Sequence, residues 1–339
     1  MHSINRVRRI ALVGTEGVGA SWAVFYLARG FDVAATDPTP HAEATLRRFI
    51  ESAWGTVKAL GLSPKASPEH LDFTMDLAEA VSDADFVQES GSDQESEKIT
   101  LFSSIADAAP CGSIIASSSS VVSMTVLQAA CEHPERCIIG HPLDPPHLIP
   151  LVEVVGGQQT SDETIRGTMA FYESIGKKPI HLRKEVSGHA ANRLQAALWR
   201  EIAYLIARGA LDVSDADSVV YWGLGLRWAA IEPSAHSHLA GGRGGIRWFI
   251  DSLVDQTNSI AEDRACPDWT PELTEEMANE VLRQVGDRSV NQIARERDQA
   301  LLDLLRERNR RRATLTSQTA GLSKPPVKKD RSNRDGEDS

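Results

Sequence analysis

Read from the N-terminus, short apolar runs alternate with longer stretches in which apolar residues recur at helical spacing. Arg9 to Val13 is an apolar run that stops at Gly14, Ser21 to Arg29 has the period of a helix, and Phe31 to Thr36 resumes as a strand ending at Asp37-Pro38. The pattern then repeats. It predicts strands over Leu71 to Thr74, Phe86 to Gln88, Ser113 to Ala116, Arg136 to Gly140, Leu151 to Val155 and Pro179 to Arg183. Between them it predicts helices over 45–60, 77–81, 96–108, 125–132 and 162–175. Strand and helix alternating in this way predict a doubly wound parallel sheet with helices on both faces.

From Ser187 the strand pattern fades. Ala190 to Arg208 reads as a long apolar-rich helix, followed by helical segments over 215–221, 245–254, 272–285 and 291–308. The expected organisation is therefore a Rossmann-type α/β domain over 1–186, an all-α domain over 187–312, and a polar, disordered tail over 313–339. Trp222 and Trp228 read as core of the helical domain rather than as a cage for a cation.

Composition narrows the class. The chain has 339 residues, a 41% hydrophobic fraction and a net charge of -11. That charge argues against nucleic-acid binding and against docking on anionic membranes. No apolar run is long enough to span a bilayer. Cys111, Cys131, Cys137 and Cys266 lack metal-ligand spacing and read as buried, reduced thiols, so a cytoplasmic protein without a metal is expected.

Two stretches carry chemistry. The first strand, its glycine-rich turn, the helix and the acid at Asp37 make up a dinucleotide-binding unit, with Asp37 placed to bond a ribose 2′-hydroxyl and so to favour NAD over NADP. In the G-x-G-x-x-G register the turn reads Gly14, Glu16, Gly19, with a further Gly17. A carboxylate about 4 Å from a phosphate costs roughly 4 kcal/mol at an effective dielectric near 20, so Glu16 is expected to weaken NAD binding unless it turns to solvent. The second stretch runs from His141 to Glu153. Pro142, Pro145, Pro146 and Pro150 exclude a helix there, so the chain turns back and Glu153 can orient the imidazole for proton transfer.

These residues sit within a wider set of motifs: Ala116-Ser-Ser-Ser-Ser120, Gly140-His-Pro-Leu-Asp-Pro-Pro146, Pro150-Leu-Val-Glu-Val-Val155 and Lys184-Glu-Val-Ser-Gly-His-Ala-Ala-Asn-Arg-Leu194. Gly223 to Trp228 and Leu239 to Phe249 continue it. In these the chain resembles the L-3-hydroxyacyl-CoA dehydrogenase superfamily, and within it the branch of carnitine and L-gulonate 3-dehydrogenases (lambda-crystallin). The resemblance implies His141 as catalytic base, Glu153 as its orienting partner, Ser120 holding the substrate oxygen and Asn192 positioning substrate. It also places Glu89 and Lys98 near the cofactor, as a functional pair or as a solvated one, and implies a homodimer. Three positions depart from the family pattern: Glu16, Asp144 in place of the asparagine after the histidine, and Glu232 in place of a glycine. An acid at 144 is expected to raise the pKa of His141 or to repel an anionic substrate. Two readings are open: an NAD-dependent dehydrogenase of a small 3-hydroxy compound, or a redox-silent relative doing acid–base chemistry on a β-carbonyl compound or only binding a ligand.

Overall fold

The computed structural model describes residues 7–252 and 270–321. Its N-terminal half runs β1 (Arg9–Val13), α1 (Val18–Arg29), β2 (Asp32–Thr36), α2 (Ala42–Leu60), β3 (Leu71–Thr74), α3 (Leu77–Val81) and β4 (Phe86–Glu89). It continues with α4 (Glu95–Ala108), β5 (Ile114–Ser117), α5 (Met124–Gln128), β6 (Cys137–Pro142), β7 (Leu151–Gly156), α6 (Asp162–Ser174) and β8 (Lys178–Leu182). The strands form one sheet in the order β3-β2-β1-β4-β5-β6-β7-β8. The first six follow the 3-2-1-4-5-6 order of a dinucleotide-binding sheet, whose crevice opens where the order reverses, between β1 and β4.

Alternation along β1 shows how both faces are covered. Ile10 and Leu12 join Trp22, Phe25 and Tyr26 of α1 and Leu46 and Ile50 of α2 on one face. Ala11 and Val13 join Phe102 and Ile105 of α4 and Met124 and Leu127 of α5 on the other. A strand buried on both faces must be apolar throughout, which is why β1 reads as a continuous run. Each large side chain so buried contributes roughly 1.5–3 kcal/mol.

The sheet departs from the all-parallel expectation at one place. β6 and β7 pair antiparallel, with His141 opposite Glu153. The connection over residues 143–150 is too short to return the chain in parallel, since a crossover takes about a dozen residues or more. Lys177 holds this connection down. Its ammonium donates to the carbonyls of Pro146 and of Ile149 (3.1 Å) and lies over the rings of Phe25 (3.9 Å) and Trp22 (4.6 Å). Burial, with the nearby Arg29 charge, pushes the Lys177 pKa well below its usual value.

The helical part comprises α7 (Ala191–Ala207), α8 (Val213–Ser218), a π-helical turn (Val219–Gly225), α9 (Leu226–Ala230), α10 (Pro233–Ala240), α11 (Pro271–Val285) and α12 (Val290–Gly321). Its apolar cluster is small: Ala203, Ile206, Val213, Leu273 and Met277. Trp222 is 69% exposed and Trp228 40%, so neither is core within the single chain, contrary to the reading from sequence. α12 continues through 313–321, residues assigned above to the tail; residues 322–339 and Cys266 lie outside the described residues. Cys131 and Cys137 are buried free thiols, whereas Cys111 is exposed. Among the described residues no helix is long and apolar enough to cross a membrane.

Candidate active site

The turn after β1 is shaped by contacts only glycine allows. A Cβ on Gly14, at φ 86°, would lie 2.7 Å from the backbone of Ser90 and Gly91 at the end of β4. One on Gly19 would lie 2.0 Å from the Gly14 carbonyl oxygen, closing off the packing of α1 on β1. Gly17 precedes α1 at φ 45° with open space beside it. Glu16, between them, is exposed; its carbonyl accepts from Gly19 N (2.8 Å), while no bond is found for its carboxylate among the described residues. A cleft of about 860 Å³ opens here, lined by Gly14, Gly17, Asp37, Ser90, Asp93 and Lys98 among others.

Asp37 is tied into this turn. It accepts from Thr15 N (2.8 Å), Thr15 Oγ1 (3.0 Å) and Thr39 N (2.9 Å). Burial acts to raise its pKa, but these bonds outweigh it and hold the carboxyl below the usual range. Glu89 and Lys98 are not a solvated pair: both side chains are essentially fully buried, and Lys98 Nζ donates to Glu89 Oε1 at 2.8 Å. Glu89 also accepts from Gly91 N (2.6 Å) and Ser117 Oγ (2.5 Å), linking the ends of β4 and β5.

At the carboxyl end of β6, His141 Nδ1 lies 2.8 Å from Glu153 Oε2. A carboxylate accepts, so Nδ1 carries the proton and Nε2 offers its lone pair. Glu153 is fully buried, and its other oxygen accepts from Ala190 N (2.9 Å) and Ala191 N (3.0 Å). Those donors open α7, where unpaired N–H groups and the helix dipole favour negative charge. One carboxylate thus joins His141 to the first turn of the helical part. Burial lowers the His141 pKa; the Glu153 bond opposes it and the neighbouring His189 adds to it, so the ring is neutral and ready to accept a proton at neutral pH.

Of the four serines from the last residue of β5 onward, three are internally engaged. Ser117 bonds Glu89, Ser118 accepts from Gln88 Nε2 (2.8 Å), and Ser119 bonds Asp93 (2.9 Å). Ser120 is half-buried, and no side-chain bond is found for it among the described residues. Asn192 is half-buried beside Ala191, whose N–H holds Glu153.

The other two departures are exposed, and Asp144 acts differently from expectation. Asp144 is 59% exposed and pairs with Arg297 of α12 at 3.3 Å. It is absent from the groups that shift His141, so it neither raises that pKa nor stands as an uncompensated charge. Glu232 is exposed at the start of α10 just before Pro233, where a carboxylate complements the helix dipole. Sequence reading missed His189, which touches the His141 ring. It lay inside a quoted motif, but only its tertiary position gives it meaning.

Comparison with known proteins follows this geometry. Residues 9–186 match the model of the 3-hydroxyacyl-CoA dehydrogenase NAD binding domain, and residues 188–290 that of the 3-hydroxyacyl-CoA dehydrogenase C-terminal domain. An L-carnitine dehydrogenase of Streptomyces coelicolor is 41% identical over 91% of this chain and 98% of its own length. One of Bacillus cereus is 39% identical over 89% of this chain and 92% of its own. Among solved structures, the NAD+-dependent dismutase 5-formyl-3-hydroxy-2-methylpyridine 4-carboxylic acid 5-dehydrogenase superposes with a TM-score of 0.78 at 30% identity, covering 89% of this chain and 98% of the other. With a crevice cut for a dinucleotide, a histidine backed by a carboxylate at the same sheet edge, and matches that span both domains, the chain belongs to the 3-hydroxyacyl-CoA dehydrogenase family.

Proposed function

We propose that the chain oxidises the secondary hydroxyl of a small, CoA-free 3-hydroxy acid of the carnitine type, with NAD as oxidant and His141 as base. The observation that carries this reading is the buried His141–Glu153 pair, at the carboxyl edge of the sheet that also bears the glycine turn. NAD, when bound, supplies the acceptor for the hydride from C3. Gly14, Gly17, Gly19 and the N-terminus of α1 would hold its pyrophosphate. Asp37, which keeps unused lone pairs, would take the adenine ribose, and the Glu89–Lys98 pair would keep the cleft wall in place. His141 Nε2 takes the hydroxyl proton, and the imidazolium so formed is held by Glu153. Ser120 bonds the substrate oxygen as it becomes a carbonyl, and Asn192 sets the face presented.

The carnitine-type substrate is favoured by relatives that bear that name over nine-tenths of the chain, and Asp144, paired with Arg297, sets no uncompensated charge against a carboxylate substrate. We assign the cofactor to residues 1–186 and the substrate and dimer contacts to 187–312, in a homodimer of the cytoplasm. The exposed Tyr221, Trp222, Leu226 and Trp248 support a partner surface, and the unpaired thiols Cys111, Cys131 and Cys137 support a reducing compartment.

The test is NADH formation by the purified chain with L-carnitine, D-carnitine, L-gulonate, 3-hydroxybutyrate and 3-hydroxybutyryl-CoA. Turnover of a free 3-hydroxy acid, with L-carnitine foremost, is expected. Turnover of the CoA thioester alone, or of none while NAD binds, overturns the proposal. Glu16 is proposed to weaken NAD only modestly. A carboxylate about 4 Å from a phosphate costs about 1 kcal/mol in water, so Glu16→Gly is predicted to tighten NAD about fivefold by calorimetry.

A further inference from the structure

The turn that opens α7 carries a second imidazole against the base. His189 is 5% exposed, and its ring centroid lies 5.0 Å from that of His141 with the planes at 48°. Its Nε2 is 3.0 Å from the carbonyl oxygen of Ser119. A carbonyl only accepts, so Nε2 carries the proton and the neutral ring leaves Nδ1 as a bare acceptor. That Nδ1 is buried and has no hydrogen-bond partner among the described residues.

The backbone here is specialised. His189 adopts φ 50°, a left-handed conformation uncommon for a residue with a Cβ, and follows Gly188 at φ 74°. Its N–H donates to Val186 O at 3.0 Å, and the next two N–H groups, of Ala190 and Ala191, hold Glu153. One short turn therefore holds the base's carboxylate, contacts the base's ring, and bonds the peptide that leads into Ser120.

We propose that His189 is a positioning residue of this site: its Nε2–H bond fixes the Ser119–Ser120 peptide against the base, and its ring packs on that of His141. The inference rests on the proposed role of His141 as base. The titratable groups acting on His141 are Glu153 from β7 and Asp93 from the loop after β4, which favour its charged form, and His189, which opposes it.

The test compares the full-length wild type with His189→Gln and His189→Phe, by imidazole nitrogen NMR across pH. Glutamine retains a donor at the reach of Nε2 but no titratable ring, whereas phenylalanine retains a ring but neither donor nor charge. Wild-type His189 is expected to show the Nε2–H tautomer. In turnover, His189→Gln is expected to keep kcat within about threefold, and His189→Phe to lose about tenfold, the size of one hydrogen bond, with NAD affinity unchanged in both. The loss in His189→Phe is expected to fall on kcat rather than on KM, and the donor retained in His189→Gln to prevent it. An Nδ1–H tautomer in wild type, or a kcat in His189→Gln that falls as far as in His189→Phe, overturns the proposal, and the wild-type tautomer decides alone if His189→Phe does not fold. A wild type that turns over no 3-hydroxy acid sinks the proposed function instead, and the wild-type tautomer still decides on His189.

Discussion

Glu153 has two tasks, and they respond differently to substitution. Toward His141 it stabilises the imidazolium; toward Ala190 and Ala191 it satisfies buried donors at the start of α7. Glu153→Gln removes the charge that favours protonation, so the acid limb of kcat/KM is predicted to move to lower pH while kcat falls by about tenfold to a hundredfold. The amide must also turn an N–H towards His141 or towards α7. A stability loss of about 1–3 kcal/mol is therefore predicted from denaturant unfolding. The sign of the wild-type pH dependence follows from burial of His141. Its folded pKa lies below the ordinary value of 6.5, so the unfolded chain binds more protons in the window below 6.5. Stability is then lost as pH falls from 6.5 towards the folded value, and kcat/KM holds to below 6.5 before declining. An acid limb above 6.5 contradicts this account.

At the scale of elements, the loop between β6 and β7 is fastened from two sides. Lys177 bonds its carbonyls from beneath, and Arg297 of α12 pairs with Asp144 from outside. These fastenings differ in weight. Asp144 and Arg297 are both substantially exposed, and such pairs are worth about 0–1 kcal/mol. Asp144→Asn, the residue of the family pattern, is predicted to change stability by no more than that and to leave the acid limb in place, as read from urea unfolding and a pH–rate profile. Much of this region was legible beforehand. Four prolines announced a chain reversal, and the reversal brought Glu153 to His141. The antiparallel pairing was not legible from apolar pattern, because strands buried on both faces read alike whichever way they run. The ties from Glu153 to α7, from Thr15 to Asp37, and from His189 to Ser119 were hidden for another reason: each joins residues brought together only by tertiary packing. Asp144 misled because its partner lies on a distant helix.

Over the whole molecule, the sheet half has a deep core on both faces, whereas among the described residues the helical half has one small apolar cluster and many uncovered aromatic residues. Periodicity could place the helices but not say which of their faces stay uncovered in the single chain, so Trp222 and Trp228 read as core. Light scattering is predicted to give twice the chain mass, and Trp222→Glu to shift it towards the monomer. A monomeric wild type contradicts the dimer. The site stands where the two halves meet, through Glu153 and the first turn of α7. The most direct test of the central claim is therefore His141→Asn, assayed for NADH formation on the preferred 3-hydroxy acid alongside calorimetric NAD binding. Loss of about a hundredfold to ten-thousandfold in kcat with NAD affinity unchanged is predicted; turnover within about threefold of wild type would show that His141 is not the base.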